Sequence, residues 1–178
     1  MKQQRAHDDL ALLQGSTVDS KEIDIQLRPW SPILIIVPPS VLTNWENEFK
    51  QWGYFSVASY RGPHKAQALN RVMIGMHDVL LCGKSMLTQN NYQPLLDVQW
   101  QLVVIDEFHE YKNRNTNSFK CLEELRNTAA CPLIGLTGTL MSNAHKELHT
   151  LIDLVQPGLL GDWKEFNSEY SRPIMLSR

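Results

Sequence analysis

The sequence predicts an α/β fold built on a doubly wound, mostly parallel sheet with helices on both faces, and three observations predict it. Five short apolar runs rich in β-branched residues recur along the chain. Segments with helical apolar spacing lie between them. Proline, glycine and small polar residues punctuate the boundaries. Strands alternating with helices call for parallel crossovers, which put helices on the faces of a sheet. The 178 residues suffice for one domain with its own core, and an apolar content of 43% is ordinary for a globular chain.

Residues 1–31 are polar and weakly patterned and read as a flexible leader. Within it Ala6, Leu10 and Leu13 fit one short helix or plain coil, and 15–20 reads as a loop. The alternating stretch 22–27 has the pattern of a strand that could cover a sheet edge. The pattern changes at Pro32. Ile33-Leu34-Ile35-Ile36-Val37 suits a strand buried on both faces, and Pro38-Pro39-Ser40 stops it. Leu42, Trp45, Phe49 and Trp52 form the apolar stripe of a helix that Ser40 can cap and Gly53 ends. Both tryptophans lie on that stripe and read as core packing rather than base stacking. A strand follows at 57–60, and Leu69, Val72, Met73 and Met76 give a second helical stripe.

The third and fourth strands are Val79-Leu80-Leu81-Cys82 and Leu102-Val103-Val104-Ile105, the latter running straight into Asp106-Glu107. Phe119, Leu122 and Leu125 mark a helix, and Leu133-Ile134-Gly135-Leu136 is the fifth strand, ending at Thr137-Gly138-Thr139. Leu148, Leu151, Ile152 and Val155 form the final clear helical stripe, closed by Pro157-Gly158.

The net charge of −2 offers no global attraction for nucleic acid, so any such contact must be local. Cys82, Cys121 and Cys131 are odd in number and lack C-x-x-C spacing. They read as buried thiols in a reducing compartment, not as a disulfide framework or a zinc site. Residues 1–14 have no apolar signal-like core, and the longest apolar run, Ile33–Val37, is too short to span a bilayer. A cytosolic or nuclear, non-membrane protein is expected.

In open α/β sheets ligands sit beyond the carboxyl ends of the strands. Three of those ends carry polar groups here: Ser40, Asp106-Glu107 and Thr137/Thr139. Two acids after a buried strand suit nucleotide hydrolysis. One can hold Mg²⁺ through water while its neighbour acts on the attacking water. His109 can link that site to an adjoining loop, because imidazole donates and accepts at once. The competing reading is a loop of solvated charges.

Over residues 32–174 the motifs resemble the first motor lobe of Swi/Snf-type chromatin-remodelling ATPases, within helicase superfamily two. The stretch from Ile35 through Pro38-Pro39-Ser40 to Asn44-Trp45 resembles motif Ia, and Asp106-Glu107-Phe108-His109 resembles the DEAH-type motif II. Leu136-Thr137-Gly138-Thr139-Leu140-Met141-Ser142-Asn143 resembles motif III. Lys146-Glu147-Leu148, Pro157-Gly158-Leu159-Leu160-Gly161 and residues 166–174 match the family's next helix, its exit and the close of the lobe. Trp52-Gly53-Tyr54-Phe55 and the lack of proline after Thr139 look most like the excision-repair branch near the Cockayne syndrome group B protein.

The resemblance implies a partial RecA-like lobe over 32–178 and a nuclear protein of chromatin remodelling or DNA repair. ATP and Mg²⁺ are its cofactors, and double-stranded DNA or chromatin and a second motor lobe its partners. It implies that Asp106 binds the Mg²⁺ of MgATP through water and that Glu107 acts on the attacking water, with His109 in the same motif. Thr137 and Thr139 would couple nucleotide state to DNA through their hydroxyls. Pro39, Ser40 and the following helix N-terminus would touch a DNA phosphate, an anion suited to free N–H groups and the helix dipole. For Ser40 the cap and the phosphate contact are compatible. Lys84 is a candidate DNA contact at the position of motif Ib.

The departures from the family pattern carry their own expectations. Phe108 replaces a small residue, and a bulky ring there is expected to crowd the loops around the metal site. Glu110 stands where the family has arginine, a charge reversal beside His109. Ser142 replaces the motif III glutamine. Cys82-Gly83-Lys84-Ser85 replaces motif Ib, which weakens the DNA contact there.

Gly83-Lys84-Ser85 is not a phosphate loop, because G-x-x-x-x-G-K-[ST] needs glycine where Asp78 stands. No other stretch supplies that loop, so these residues read as a fragment lacking motif I and the second lobe, inactive alone as an ATPase. Lack of the loop's strand is expected to leave an apolar edge beside residues 102–105 and 133–137. The alternative is a non-catalytic DNA- or protein-binding module derived from such a lobe. An unrelated α/β enzyme using the two acids finds no nucleophile or cofactor motif elsewhere in the chain.

Overall fold

A computed structural model describes residues 31–88, 92–129, 131–140 and 144–177. The expected leader, its edge-covering stretch and Ser142 lie outside the described residues. Five strands form one sheet: β1 (Ile33–Val37), β2 (Val57–Tyr60), β3 (Val79–Gly83), β4 (Leu102–Ile105) and β5 (Leu133–Gly135). Their order is β2-β3-β1-β4-β5, and all four pairings are parallel. Each strand coincides with a predicted apolar run to within one residue.

The helices are α1 (Leu42–Trp52), α2 (Lys65–Met73), the short α3 (Ser85–Thr88) and α4 (Gln93–Leu96), α5 (Asn117–Ala129), α6 (His145–Val155), α7 (Trp163–Phe166) and α8 (Arg172–Leu176). Alternate residues of the strands point to opposite faces, as a pleated sheet requires. One face is the larger core. Leu34, Ile36, Leu80, Cys82, Val103 and Ile105 meet Leu69 and Val72 of α2, Phe119, Leu122 and Leu125 of α5, and Leu151 and Leu154 of α6. On the other face Ile35, Val37, Val79 and Leu81 pack under α1 through Leu42, with Trp45 and Phe49 half-buried over them. All three cysteines are free and buried.

Among the described residues, helix coverage of the second face stops short of the β5 edge. Val104 is half-buried and its sheet neighbour Ile134 is 45% exposed, with Leu136 exposed beyond it. Among the described residues the sheet thus shows partly exposed apolar side chains at Val104, Ile134 and Leu136.

Four expectations need correction. The second stripe is cut short: α2 ends at Met73, and Met73 and Met76 are both exposed. Trp52 is 77% exposed, not core. It sits in the last turn of α1, beyond Phe49, the last residue of the stripe that packs on the sheet. Ser40 does not cap α1: a 3-10 turn, Pro39–Val41, leads into the helix, Val41 occupies the cap position, and no side chain caps either. The helical stripe of α6 is not the last. A further segment follows, in which Asp162 accepts N–H bonds from Lys164 and Glu165 (2.7 and 3.0 Å) and starts α7. The chain then passes through a π-helical turn, Asn167–Ser171, into α8. This segment is held by an aromatic train, His149 to Trp163 and Phe166, then Phe166 to Tyr170. His149 Nε2 also bonds the Gly161 carbonyl at 3.0 Å.

Candidate nucleotide and DNA site

All strands run the same way, so their carboxyl ends share one side of the sheet. Registers Val37↔Gly83, Ile36↔Ile105 and Ile105↔Gly135 bring the polar residues after each strand together. Backbone bonds extend the ladder past the strands. Asp106 N–H donates to Ile36 O (2.8 Å), Lys84 N–H to Val37 O (2.8 Å) and Leu136 N–H to Ile105 O (2.8 Å). Pro39 and Ser40, Lys84, Asp106-Glu107-His109 and Thr137-Thr139 therefore line one rim.

The acidic box turns sharply. Glu107 has φ 50° and ψ 47°, and it is the one non-glycine residue with positive φ among the described residues. Left-handed backbone strains an L-residue, and such strain concentrates at functional sites. The turn continues as a 3-10 helix, Phe108–Tyr111. It points the two acids differently. Asp106 stays half-buried with both oxygens engaged. Oδ1 accepts the Glu107 N–H at 2.9 Å, and Oδ2 accepts the Trp45 indole N–H at 3.0 Å. The Glu107 side chain is about half exposed and faces His109, with Oε2 3.3 Å from Nδ1.

His109 Nδ1 also meets Thr137 Oγ1 at 3.0 Å, which links the box to the end of β5. Thr137 Oγ1 in turn accepts the Thr139 N–H at 3.1 Å. Thr139 thus joins this network through its backbone, with its side chain exposed.

The departures resolve physically. Phe108 does not crowd the acids. It is 3% exposed, turned into the larger core against Gly135, with Tyr111 stacked on it (ring centroids 6.3 Å apart). Its own N–H donates to Leu136 O at 2.9 Å. Glu110 turns to Lys84, and the two form an ion pair, while the Lys84 ammonium also lies 5.1 Å from the centre of the Tyr111 ring. The altered motif Ib and the altered box are therefore joined. Residues 79–83 are strand up to the glycine of Gly83-Lys84-Ser85, so no nest of backbone N–H groups forms there.

Asp106 is the one carboxylate here fixed on both oxygens, and no group of three or more His, Cys, Asp or Glu among the described residues could enclose a metal. Each Asp106 oxygen has a lone pair left beyond its hydrogen bond. That donor set would suit Mg²⁺ met through water and does not fit a protein cage. The Trp45–Asp106 and Lys84–Glu110 contacts were invisible to motif reading. They span 61 and 26 residues, and nothing local in the sequence signals them.

The sequence profile described as the SNF2-related domain matches residues 3–178. The chain belongs to this family. "Switch 2" of Arabidopsis thaliana is 33% identical over 171 residues, which is 95% of this chain and 19% of the relative. "DNA excision repair protein ERCC-6-like 2" of Mus musculus is 34% identical over 79% of this chain and 9% of its own length. "TATA-binding protein-associated factor MOT1" of Saccharomyces cerevisiae is 35% identical over 83% of this chain and 8% of its own length. The solved "Sulfolobus solfataricus SWI2/SNF2 ATPase core in complex with dsDNA" aligns with a TM-score of 0.65 at 31% identity, over 82% of this chain and 29% of that one. The chain thus spans about a fifth or less of these curated relatives. Among the described residues no helix is long and apolar enough to cross a membrane.

Proposed function

We propose that this chain is the part of an SNF2-type first motor lobe that carries the hydrolytic acids and one side of the DNA contact, in a nuclear DNA-dependent ATPase or translocase of chromatin remodelling or repair. The observation that carries the reading is the convergence of four strand ends on one rim, with Asp106, Glu107, His109 and Thr137 in contact and Pro39, Ser40 and Lys84 beside them. In this reading Asp106 holds the Mg²⁺ of MgATP through water. Glu107, half-exposed and reached by His109, would act on the attacking water. Thr137 and Thr139 report the state of that site to the DNA side, and Pro39, Ser40 and Lys84 face phosphates of double-stranded DNA. The DNA-bound structural relative supports duplex DNA as the partner.

The 178 residues contain no phosphate loop, so the β- and γ-phosphates lack their main cradle and the chain alone does not turn over ATP. A second motor lobe completes the site in the full motor. The test is ATPase activity of the purified 178-residue chain with and without duplex DNA. No turnover is expected, and turnover abolished by Glu107→Gln overturns the reading. The second reading, a non-catalytic module that binds DNA or protein, draws on the Lys84–Glu110 pair, which ties two altered motifs together. Salt-sensitive duplex binding weakened by Ser40 and Lys84 substitutions supports it, and no binding at low salt removes it.

A further inference from the structure

Trp45 lies in the first turn of α1, and its ring packs on Phe49 (centroids 6.1 Å apart) above Ile35 and Val37. Its polar edge is the informative part. A buried indole N–H usually finds some acceptor, and Trp100 shows the ordinary solution, donating to the Leu95 carbonyl five residues away at 2.7 Å. Trp45 instead reaches across 61 residues to a carboxylate of the acidic box. With the Glu107 N–H on Oδ1 and the indole on Oδ2, each Asp106 oxygen accepts one hydrogen bond. The two bonds restrain rotation of the carboxylate and leave each oxygen a further lone pair.

We propose that Trp45 is a positioning residue for Asp106, holding the carboxylate in the orientation that receives the water shell of Mg²⁺. The proposal rests on the motor-lobe reading of Asp106. It gives the tryptophan a role that neither core packing nor base stacking covers. Outer-shell donors of this kind set the orientation of a metal-facing group, and their removal weakens metal binding by about 10–100-fold.

The test uses the whole chain and two readouts besides turnover. In ¹⁵N spectra the indole N–H line of Trp45 is assigned by its loss in Trp45→Phe, a change that keeps the apolar ring and removes the donor. Asp106→Asn is expected to move that line and leave the Trp100 line in place. Mn²⁺ alone, followed by electron paramagnetic resonance, is expected to bind about tenfold more weakly to Trp45→Phe than to the parent chain, with thermal unfolding little changed. A Trp45 line indifferent to Asp106→Asn overturns the proposal, and so does parental Mn²⁺ affinity in Trp45→Phe. If the parent chain binds no Mn²⁺ at millimolar metal without nucleotide, the metal role of Asp106 fails and the proposal with it. The metal-free spectra separate that failure from a missing hydrogen bond.

Discussion

Gly135→Ala should destabilise the chain through Phe108, and the size of the effect follows from the contact between them. A Cβ built on Gly135 lies 3.0 Å from Phe108 Cβ and closer still to Cγ and Cδ1, distances that real Cβ atoms essentially never show. Ordinary carbon contacts lie near 3.5–4.0 Å, so the ring must retreat by roughly 1 Å. It has little room: Phe108 is 3% exposed and Tyr111, stacked on it, is 1% exposed. Overpacking of this kind costs about 1–3 kcal/mol. The stiffer unfolded chain of an alanine variant offsets about 0.4–1 kcal/mol of that. Phe108→Ala alone opens a cavity and costs about 3–5 kcal/mol. In the double variant the clash is gone and the methyl introduced at position 135 fills part of the space. The pair should then be no less stable than Phe108→Ala, a coupling of about 1–3 kcal/mol against additivity. Urea unfolding followed by tryptophan fluorescence reads these values, with Phe108→Leu as the partner if Phe108→Ala leaves too little folded protein. Additive losses within about 0.5 kcal/mol, or parental stability in Gly135→Ala, would refute the packing argument.

Glu110→Gln frees Lys84 from its ion pair and should raise duplex affinity about two- to fivefold, the scale of a part-exposed pair. Lys84→Ala should lower affinity and flatten the salt dependence by about one unit of slope, and filter binding across a salt series reads both. Burial pushes the Cys82 thiol up to about 12, with Lys65 opposing. The folded chain therefore keeps a proton that the unfolded chain loses above about pH 9. The stability is present below that pH and falls by about 1.4 kcal/mol per pH unit towards 12. Cys82→Ala should remove that much of the slope in urea titrations between about pH 9 and 11. Glu107→Gly should leave the urea midpoint unchanged or slightly raised, since glycine relieves the left-handed backbone, whereas Glu107→Val should lower the stability by about 1 kcal/mol or more.

The sheet was legible because its strands are continuous apolar runs, and a run such as Ile33–Val37 has few other places to go. The rim was legible for the same reason, since parallel strands put every carboxyl end on one side. What escaped notice lies in contacts and in short elements. A four-residue helix such as α3 or α4 has too few positions to show a period. The start of α7 did leave a signal, Asp162 with Glu165 three residues on, a capping pair that apolar periodicity does not register. Trp52 misled because its spacing is correct while the packing of the stripe on the sheet stops at Phe49. Glycine at 135 gave no hint of its partner, because the space it leaves is filled from 27 residues upstream.

The relation between Phe108 and Glu107 changes how the acidic box should be understood. A left-handed Glu107 is unfavourable by itself, by roughly 1–2 kcal/mol, so something beyond the strand must hold the turn in place. The neighbouring residue does so from two directions. The Phe108 N–H donates to the Leu136 carbonyl, and its ring is sunk against Gly135, both at the end of β5. The Glu110 N–H closes the turn onto the Glu107 carbonyl at 3.0 Å. A burial worth several kcal/mol outweighs the backbone strain. It also explains why the side chains on either side of Phe108 are free to face the rim. The bulky residue that looked like an intruder in the motif is thus the anchor of the box. The prediction for Gly135→Ala is accordingly a test of the site as well as of the core. If the ring is displaced, the Glu107 backbone is the strained element that can relax first, and the His109–Thr137 contact should loosen with it.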